Sequence, residues 1–313
     1  MPFSSIYIAG HRGLVGSALV RYLESRGQPN IVVRSRHELD LRDTNAVREF
    51  LLSARPEAVV MAAAKVGGIQ ANNNLPVEFL LENLQIQNNI ISASFEAGVQ
   101  KFLFLGSSCI YPKLAPQPIH EESLLSGPLE PTNKPYAIAK IAGIELCQAY
   151  CREYGANFIS AMPTNLYGPG DNFDLDSSHV LPALIRKAHE AKINNRPAFS
   201  VWGSGSPRRE FLYVDDLADA LVFLLEKYDS PEVINVGCGE DVTIRELAGI
   251  VSDVVGFKGE PIFDPSKPDG TPRKLLDTTR LQKLGWTPRV SLRDGIEQTY
   301  QWYLRSAPDL VHK

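Results

Sequence analysis

Five short apolar segments, separated by longer helical patterns, constrain the fold of this chain most strongly. They are residues 5–9, 31–33, 58–62, 102–105 and 158–161. Strands that alternate with helices in this way are typical of a doubly wound, mostly parallel sheet. Ligands of such sheets bind beyond the carboxyl ends of the strands. The pattern therefore predicts an α/β fold with its site at one edge of the sheet.

A glycine-rich turn follows the first of these segments. Gly10, Gly13 and Gly16 lie in GHRGLVG, directly before an apolar-periodic helix. Glycines let the backbone approach a pyrophosphate, and a helix N-terminus offers unpaired N–H groups to it. A simple tight turn is the alternative, but a strand before the turn and a helix after it favour a cofactor loop. We therefore predict a Rossmann-type dinucleotide-binding domain.

The second apolar segment ends in arginines where an NAD site usually has an acidic residue. The chain reads Arg34-Ser35-Arg36 at this point. Guanidinium groups pair well with phosphate, so this end suits the 2′-phosphate of NADP, with Arg36 as the main contact and Arg12 as a second. Solvated surface arginines are the alternative. The pattern favours NADPH over NADH.

Tyr136 and Lys140 lie one helical turn apart in NKPYAIAKIAG. Residues four apart share a helix face, so the ammonium is expected near the phenol, where a cation lowers the pKa of the hydroxyl. A phenol tuned in this way exchanges protons near neutral pH. A chance pair on an amphipathic helix is the alternative, which the glycine turn disfavours. The combination indicates a redox enzyme.

Length and loop composition predict two lobes. The chain has 313 residues, more than one compact domain usually needs. After about residue 166, loops rich in Gly, Pro, Asp and Asn become frequent. We predict an NADP-binding Rossmann domain over residues 1–165, to which 211–238 return. Residues 166–313 are predicted to form mainly a smaller C-terminal α/β substrate lobe.

Charge and cysteine usage narrow the possible partners. The net charge of −4 gives no general attraction to nucleic acid or to anionic membranes. We identify no secretory signal and no apolar run of about 18 residues, the length that a membrane span needs. The four cysteines show no zinc-ligand spacing. The sequence predicts a cytoplasmic protein that acts without a metal, a membrane or a nucleic acid.

Seven segments carry a family resemblance: GHRGLVG, AAAKVGGI, GSSCIYP, EPTNKPYAIAKIAG, MPTNLYGP, WGSGSPRREF and KPDGTPRKLLD. Over residues 6 to about 304 the chain resembles the extended short-chain dehydrogenase/reductases. It is most similar to their members that act on GDP-4-keto-6-deoxy-D-mannose. The resemblance implies NADPH-dependent epimerisation at C3 and C5, followed by reduction of the C4 ketone. It also implies a homodimer that pairs through residues 78–97 and the helix after Tyr136.

The resemblance implies five catalytic residues. Ser107 and Tyr136 would hold and protonate the C4 oxygen, and Lys140 would contact the nicotinamide ribose. Cys109 would be the base of epimerisation and His179 the acid, because a thiol and an imidazole both titrate close enough to neutral pH. From the residues alone, Ser107 is more typical of a turn, Cys109 of a small buried side chain and His179 of a loop or helix cap.

The same resemblance implies the binding residues. For the cofactor these are Gly10, Arg12, Gly13, Leu14, Val15, Gly16, Arg36, Leu105, Gly106, Ser108, Lys140, Pro163, Asn165, Leu166 and His179. For the substrate they are Lys187, Trp202, Arg209 and Asp269. Arg186 is an alternative to Lys187 as the phosphate contact.

Two other functions stay open at this stage. One is a related nucleotide-sugar reductase, or a 4-epimerase that retains NAD. The other is an NADP-sensing regulatory protein that keeps the fold without the chemistry.

Overall fold

The computed structural model describes residues 2–28, 30–267 and 269–310. The strands are β1 (Ile6–Ala9), β2 (Ile31–Val32), β3 (Ala58–Met61), β4 (Lys101–Leu105), β5 (Phe158–Pro163), β6 (Asn165–Tyr167), β7 (Ala198–Trp202), β8 (Arg208–Tyr213), β9 (Ile234–Val236), β10 (Asp241–Thr243), β11 (Glu260–Asp264) and β12 (Arg273–Lys274). The helices are α1 (Leu14–Ser25), α2 (Thr44–Ala54), α3 (Ile69–Asn74), α4 (Pro76–Glu96), α5 (Lys134–Tyr154), α6 (Val180–Ile193), α7 (Val214–Lys227), α8 (Ile244–Val255), α9 (Thr279–Leu284) and α10 (Leu292–Leu310).

A six-stranded parallel sheet forms the centre of the molecule, in the order β2-β1-β3-β4-β5-β9. The order reverses direction between β1 and β3, which is where doubly wound sheets bind their ligands. The predicted Rossmann-type α/β fold is confirmed. β5 runs two residues beyond its predicted end, because Met162 and Pro163 pair with Asn235 and Val236 of β9. That partner lies too far along the chain for a local pattern to reveal.

Helices cover both faces of this sheet. On one face, α1 and α7 bury Leu19 and Leu221 against Ile8 of β1. On the other face, the apolar sides of α2, α4 and α5 pack on Val59 and Phe104. Every residue of β1, β3, β4 and β5 is buried. Such continuous apolar strands are expected when helices cover a parallel sheet on both sides.

A second group of elements packs around β8. This strand pairs in parallel with β6 and β12 and antiparallel with β10. β7 and β11 form a separate parallel pair, and α6, α8 and α10 enclose an apolar cluster that includes Phe199 and Leu247. β9 is a strand of the central sheet and α7 packs on that sheet, although both follow residue 166 in the chain. The division into domains at residue 165 stays a prediction.

Two glycines let the turn after β1 lie close to its neighbours. Gly10 has a φ of 86°, and a Cβ there would lie 2.7 Å from the backbone of Ala63, beyond β3. A Cβ on Gly16 would lie 2.2 Å from the Gly10 carbonyl oxygen. Both positions therefore exclude any side chain. The turn consequently packs directly between α1 and the loop after β3.

Two features are absent from the described residues. None of the helices within them has the length and apolarity needed to cross a membrane. The same residues contain no group of three or more His, Cys, Asp or Glu side chains placed to hold a metal ion.

Candidate active site

A cavity of about 450 Å³ lies at the carboxyl edge of the central sheet, where β1, β2 and β3 end. Its lining includes predicted cofactor residues, namely Gly10, Arg12, Gly13 and Arg36. It also includes residues that the sequence interpretation missed, namely His11, Asp40, Leu41, Arg42, Lys65 and Glu82. These residues come from separate segments and have no distinctive spacing, so no sequence signal identified them.

Two arginines of this cavity, Arg12 and Arg36, are not engaged by a hydrogen bond or an ion pair within the described part of the chain. Arg42 is held by both oxygens of Asp40 at 2.6–3.2 Å, and this pairing lowers the pKa of Asp40 to about 2. Arg34 lies over the Phe50 ring, 5.0 Å from its centroid. Arg12 and Arg36 are exposed and form no ion pair or hydrogen bond with described residues. They are free to bind phosphate.

The glycine turn fits a dinucleotide phosphate. Gly13 precedes α1 with no side-chain cap, and the first turn of the helix contains no acidic residue. Its leading N–H groups and positive dipole end therefore face the cavity without competition. A Cβ on Gly10 or Gly16 would collide with backbone, so the turn is built for close approach.

Ser107 and Tyr136 lie close to each other and to Cys109. Ser107 follows β4 and accepts a hydrogen bond from the Cys109 N–H at 3.2 Å, which caps the short helix Ser108–Ile110. Burial raises the pKa of Tyr136, nearby Cys109 raises it further, and the Ser107 hydroxyl opposes the rise. The predicted lowering of this pKa is wrong, because spacing along a helix does not report desolvation.

Lys140 lies on the same face of α5, as predicted. Its ammonium is 5.9 Å from the Tyr136 ring centroid and donates to the Leu105 carbonyl at 2.8 Å. The side chain is only 2% exposed, and burial lowers the pKa of Lys140 to about 7. α5 reaches β4 closely because Gly143 leaves room for the Phe104 ring, which a Cβ would approach to 2.4 Å.

Two cations that lie next to Cys109 come from the second group of strands. The Lys274 ammonium lies 3.6 Å from the Cys109 sulfur. Arg209 is the register partner of Lys274 across the β8–β12 pair and interacts electrostatically with Cys109. Lys274 lies in the KPDGTPRK segment, but its position depends on a strand pairing and was not predicted. A cation at this distance attracts negative charge that develops on the sulfur.

His179 precedes α6 and faces the same cleft. The residue is exposed to solvent, but neighbouring protein atoms partly desolvate the ring. This desolvation lowers the pKa of His179, and the charge of Lys274 lowers it further. The His179 loop is tied to the loop after β3, since the Gly68 N–H donates to the Ser177 carbonyl at 3.1 Å. Lys274 therefore lies within electrostatic range of both predicted epimerisation groups.

Arg209 is both one of these cations and a predicted substrate residue, and the other predicted substrate residues are Lys187, Trp202 and Asp269. The Lys187 ammonium lies 5.7 Å from the Trp202 ring centroid, and the ring is 46% exposed. Asp269 accepts hydrogen bonds from the N–H and hydroxyl of Ser204. Arg186 donates to Glu190 and to the Phe173 carbonyl. Lys187, not Arg186, is therefore placed to contact a ligand next to Trp202.

The other predicted cofactor residues lie along the same edge of the sheet. Leu105, Gly106 and Ser108 are at the end of β4, and Pro163 ends β5. Asn165 and Leu166 belong to β6, and Leu14 and Val15 open α1. Contacts of all these residues with a cofactor stay predictions.

A parallel sheet with a glycine turn after β1, and a Tyr–Lys pair on the helix that passes β4, defines a nicotinamide-dinucleotide oxidoreductase of the short-chain class. Within that class the chain belongs to the NAD dependent epimerase/dehydratase family, whose model matches residues 6–237.

Curated relatives match this chain in sequence, and solved structures match it in fold, over nearly its whole length. The chain is 60% identical to GDP-L-fucose synthase 1 of Arabidopsis thaliana, over 97% of this chain and 94% of the relative. It is 56% identical to GDP-L-fucose synthase of Escherichia coli strain K12, over 98% of each. A GDP-L-fucose synthetase from Naegleria fowleri, solved bound to NADP, matches with a TM-score of 0.90 and 32% identity, over 97% of this chain and 95% of that one.

Proposed function

We propose that this enzyme converts GDP-4-keto-6-deoxy-D-mannose to GDP-L-fucose with NADPH, by epimerisation at C3 and C5 and then reduction at C4. The observation that carries the proposal is the presence of two sets of proton-transfer groups in one cleft. Ser107 and Tyr136 form one set, and Cys109 and His179, which share Lys274, form the other. Relatives named GDP-L-fucose synthase at 56–60% identity support the same reaction.

NADP(H) is the cofactor, and in its reduced form it supplies the hydride for C4. The glycine turn would hold the pyrophosphate at the N-terminus of α1. Arg36 and Arg12, which form no ion pair or hydrogen bond with described residues, would bind the 2′-phosphate. The cofactor named in the Naegleria fowleri structure is consistent with this assignment.

Reduction needs a proton donor at the C4 oxygen. The raised pKa of Tyr136 keeps its phenol protonated at neutral pH, which is the form that a donor requires. Ser107, which lies close to Tyr136, would hold the same oxygen. Lys140 would orient the nicotinamide ribose beside this pair.

Epimerisation needs a base and an acid on opposite sides of the carbon. Cys109 would remove the proton as a thiolate, stabilised by Lys274 and Arg209. His179 would return a proton from the other side. Lys187, Trp202 and Asp269 would hold the GDP moiety.

We also propose a cytoplasmic homodimer. The exposed face of α4 presents Val77 and Leu81 one turn apart, and α5 presents Ile138. Contiguous exposed apolar side chains of this kind favour an interface between copies. The four cysteines are free thiols, which suits a reducing compartment. A monomer mass in light scattering would reject the dimer.

The function is tested by giving purified enzyme GDP-4-keto-6-deoxy-D-mannose and NADPH in heavy water and analysing the sugar by NMR. We expect GDP-L-fucose with deuterium at C3 and C5. Cys109→Ser should slow deuterium uptake, and Tyr136→Phe should chiefly slow NADPH oxidation. A reduced sugar without deuterium would make the protein a simple reductase, and retained NAD in the purified enzyme would favour a 4-epimerase. Absence of turnover would favour the hypothesis of an NADP-sensing regulatory protein.

A further inference from the structure

Glu210 is a fully buried carboxylate next to the cleft that the proposed reaction does not use. It lies on β8 between Arg209 and Phe211, with 0% of its surface exposed. Side chains alternate between the two faces of a strand. Arg209 interacts with Cys109, so the Glu210 carboxylate lies on the far side of β8 from the proposed chemistry.

Each oxygen of this carboxylate accepts from the backbone of a different segment. Oε1 accepts from the Gly239 N–H at 2.7 Å, and Oε2 accepts from the Leu276 N–H at 3.0 Å. The fit is close, since a Cβ on Gly237 would lie 2.3 Å from Oε1. The carboxylate thus joins β8 to the turn after β9 and to the chain that follows β12.

The backbone of Glu210 makes a third connection. Its carbonyl accepts from the Asn165 side-chain amide at 2.7 Å and from the Thr164 hydroxyl at 3.3 Å. Thr164 lies between β5 and β6, at the edge of the central sheet. One residue therefore ties β8 to the carboxyl ends of two strands of the central sheet, β5 and β9.

These ties bear directly on the two cations at Cys109. Arg209 immediately precedes Glu210, and Lys274 on β12 is the register partner of Arg209. Leu276, which Glu210 holds, is two residues beyond Lys274. Burial raises the pKa of Glu210, while the N–H bonds from Gly239 and Leu276 oppose the rise and stabilise the charged form.

We propose that Glu210 is a positioning residue that fixes Arg209 and Lys274 against Cys109 by holding β8, the turn after β9 and the segment after β12 in one arrangement. The inference rests on the proposed function for the role of Cys109. It predicts that a substitution of Glu210 changes the reactivity of the Cys109 sulfur, which Glu210 does not contact.

Glu210→Gln is the informative change because it keeps the size of the side chain. The amide has one oxygen and one NH₂ group, so either the Gly239 or the Leu276 N–H must face a donor. A buried N–H without an acceptor is costly enough to move its segment. We expect Arg209 and Lys274 to move away from Cys109, and the thiolate to lose support.

The measurement is the rate at which iodoacetamide alkylates Cys109 at pH 7.5 in the whole enzyme without substrate, followed by peptide mass spectrometry. Cys151 on α5 serves as the internal reference. We expect Glu210→Gln to slow Cys109 alkylation about fivefold relative to Cys151. NADPH binding, followed by fluorescence, should change by less than about twofold, since this cofactor site lies across the cleft.

Asp219→Asn is the matched control. Its carboxylate also bridges two donors, the Tyr22 hydroxyl and the Trp286 indole N–H, and none of these contacts involves the cleft. It should lower stability without changing Cys109 alkylation. If Glu210→Gln does not fold, Glu210→Asp keeps the charge but is one methylene shorter, and the same slowing is expected.

A folded Glu210 variant that alkylates at the wild-type rate would overturn the proposal, as would equal slowing in Asp219→Asn. Alkylation needs no substrate. Failure of the wild-type enzyme to turn over the GDP-sugar would therefore reject the proposed function without deciding the role of Glu210.

Discussion

Replacing Lys274 with methionine should slow epimerisation much more than reduction. The Lys274 ammonium is 3.6 Å from the Cys109 sulfur. For two unit charges at this distance, Coulomb's law gives about 1 kcal/mol in water and about 5 kcal/mol at an effective dielectric constant of 20. Cys109 is half-buried and Arg209 stays nearby, so we take about 2 kcal/mol. This corresponds to a roughly thirtyfold slower removal of the proton by Cys109.

The assay measures deuterium uptake at C3 and C5 of GDP-4-keto-6-deoxy-D-mannose in heavy water, with NADP⁺ in place of NADPH so that reduction cannot contribute. Lys274→Arg should recover most of the exchange, because it restores a cation. Lys283→Met, which removes an exposed lysine of α9, should leave the exchange unchanged. Exchange in Lys274→Met within twofold of wild type would refute the reasoning, as would an equal loss of hydride transfer to the epimerised ketone.

Three further predictions follow from the cofactor cavity and the cleft. Arg36→Ala should raise the KM for NADPH about thirtyfold and leave the KM for NADH nearly unchanged, since only NADPH carries the 2′-phosphate. Equal effects on both KM values in steady-state assays would show that Arg36 does not bind the 2′-phosphate. Gly16→Ala should abolish NADPH binding in a fluorescence titration, because its Cβ would lie 2.2 Å from the Gly10 oxygen. In Gly249→Ala the new Cβ would have no atom within 4 Å, so this variant should bind NADPH normally. Its free energy of unfolding should rise by about 0.5–1 kcal/mol. The pKa of His179 is lowered, so its imidazole is neutral at pH 7 and above. A step that needs the charged imidazole should accelerate as the pH falls through that lowered pKa. Lys274→Met removes one cause of the shift, so the pH at which deuterium exchange accelerates should rise in this variant.

Local patterns were sufficient for the central sheet and for part of the site. The strands carry continuous apolar runs because helices cover both faces, so their positions along the chain follow from hydrophobicity. Tyr136 and Lys140 share a helix face because helical spacing requires it. The glycine turn was identifiable for the same reason, since its constraint lies within seven residues.

The direction of the Tyr136 pKa shift could not be obtained in this way. Spacing placed a cation near the phenol, but burial dominates and raises the pKa of Tyr136. Desolvation depends on every atom around a group, and those atoms come from distant segments. The roles of Lys274 and Glu210 were missed for a related reason, because β12 meets β8 across about 65 residues of chain.

The sequence by itself determined the class of fold, the cofactor turn and the residue types that the chemistry needs, because each depends on residues that are neighbours along the chain. Only the tertiary structure decided which cations lie next to Cys109, which oxygen of the cleft stays protonated and which carboxylate holds the strands together. Those properties depend on strand register and on burial, which arise only when segments far apart in sequence pack against one another.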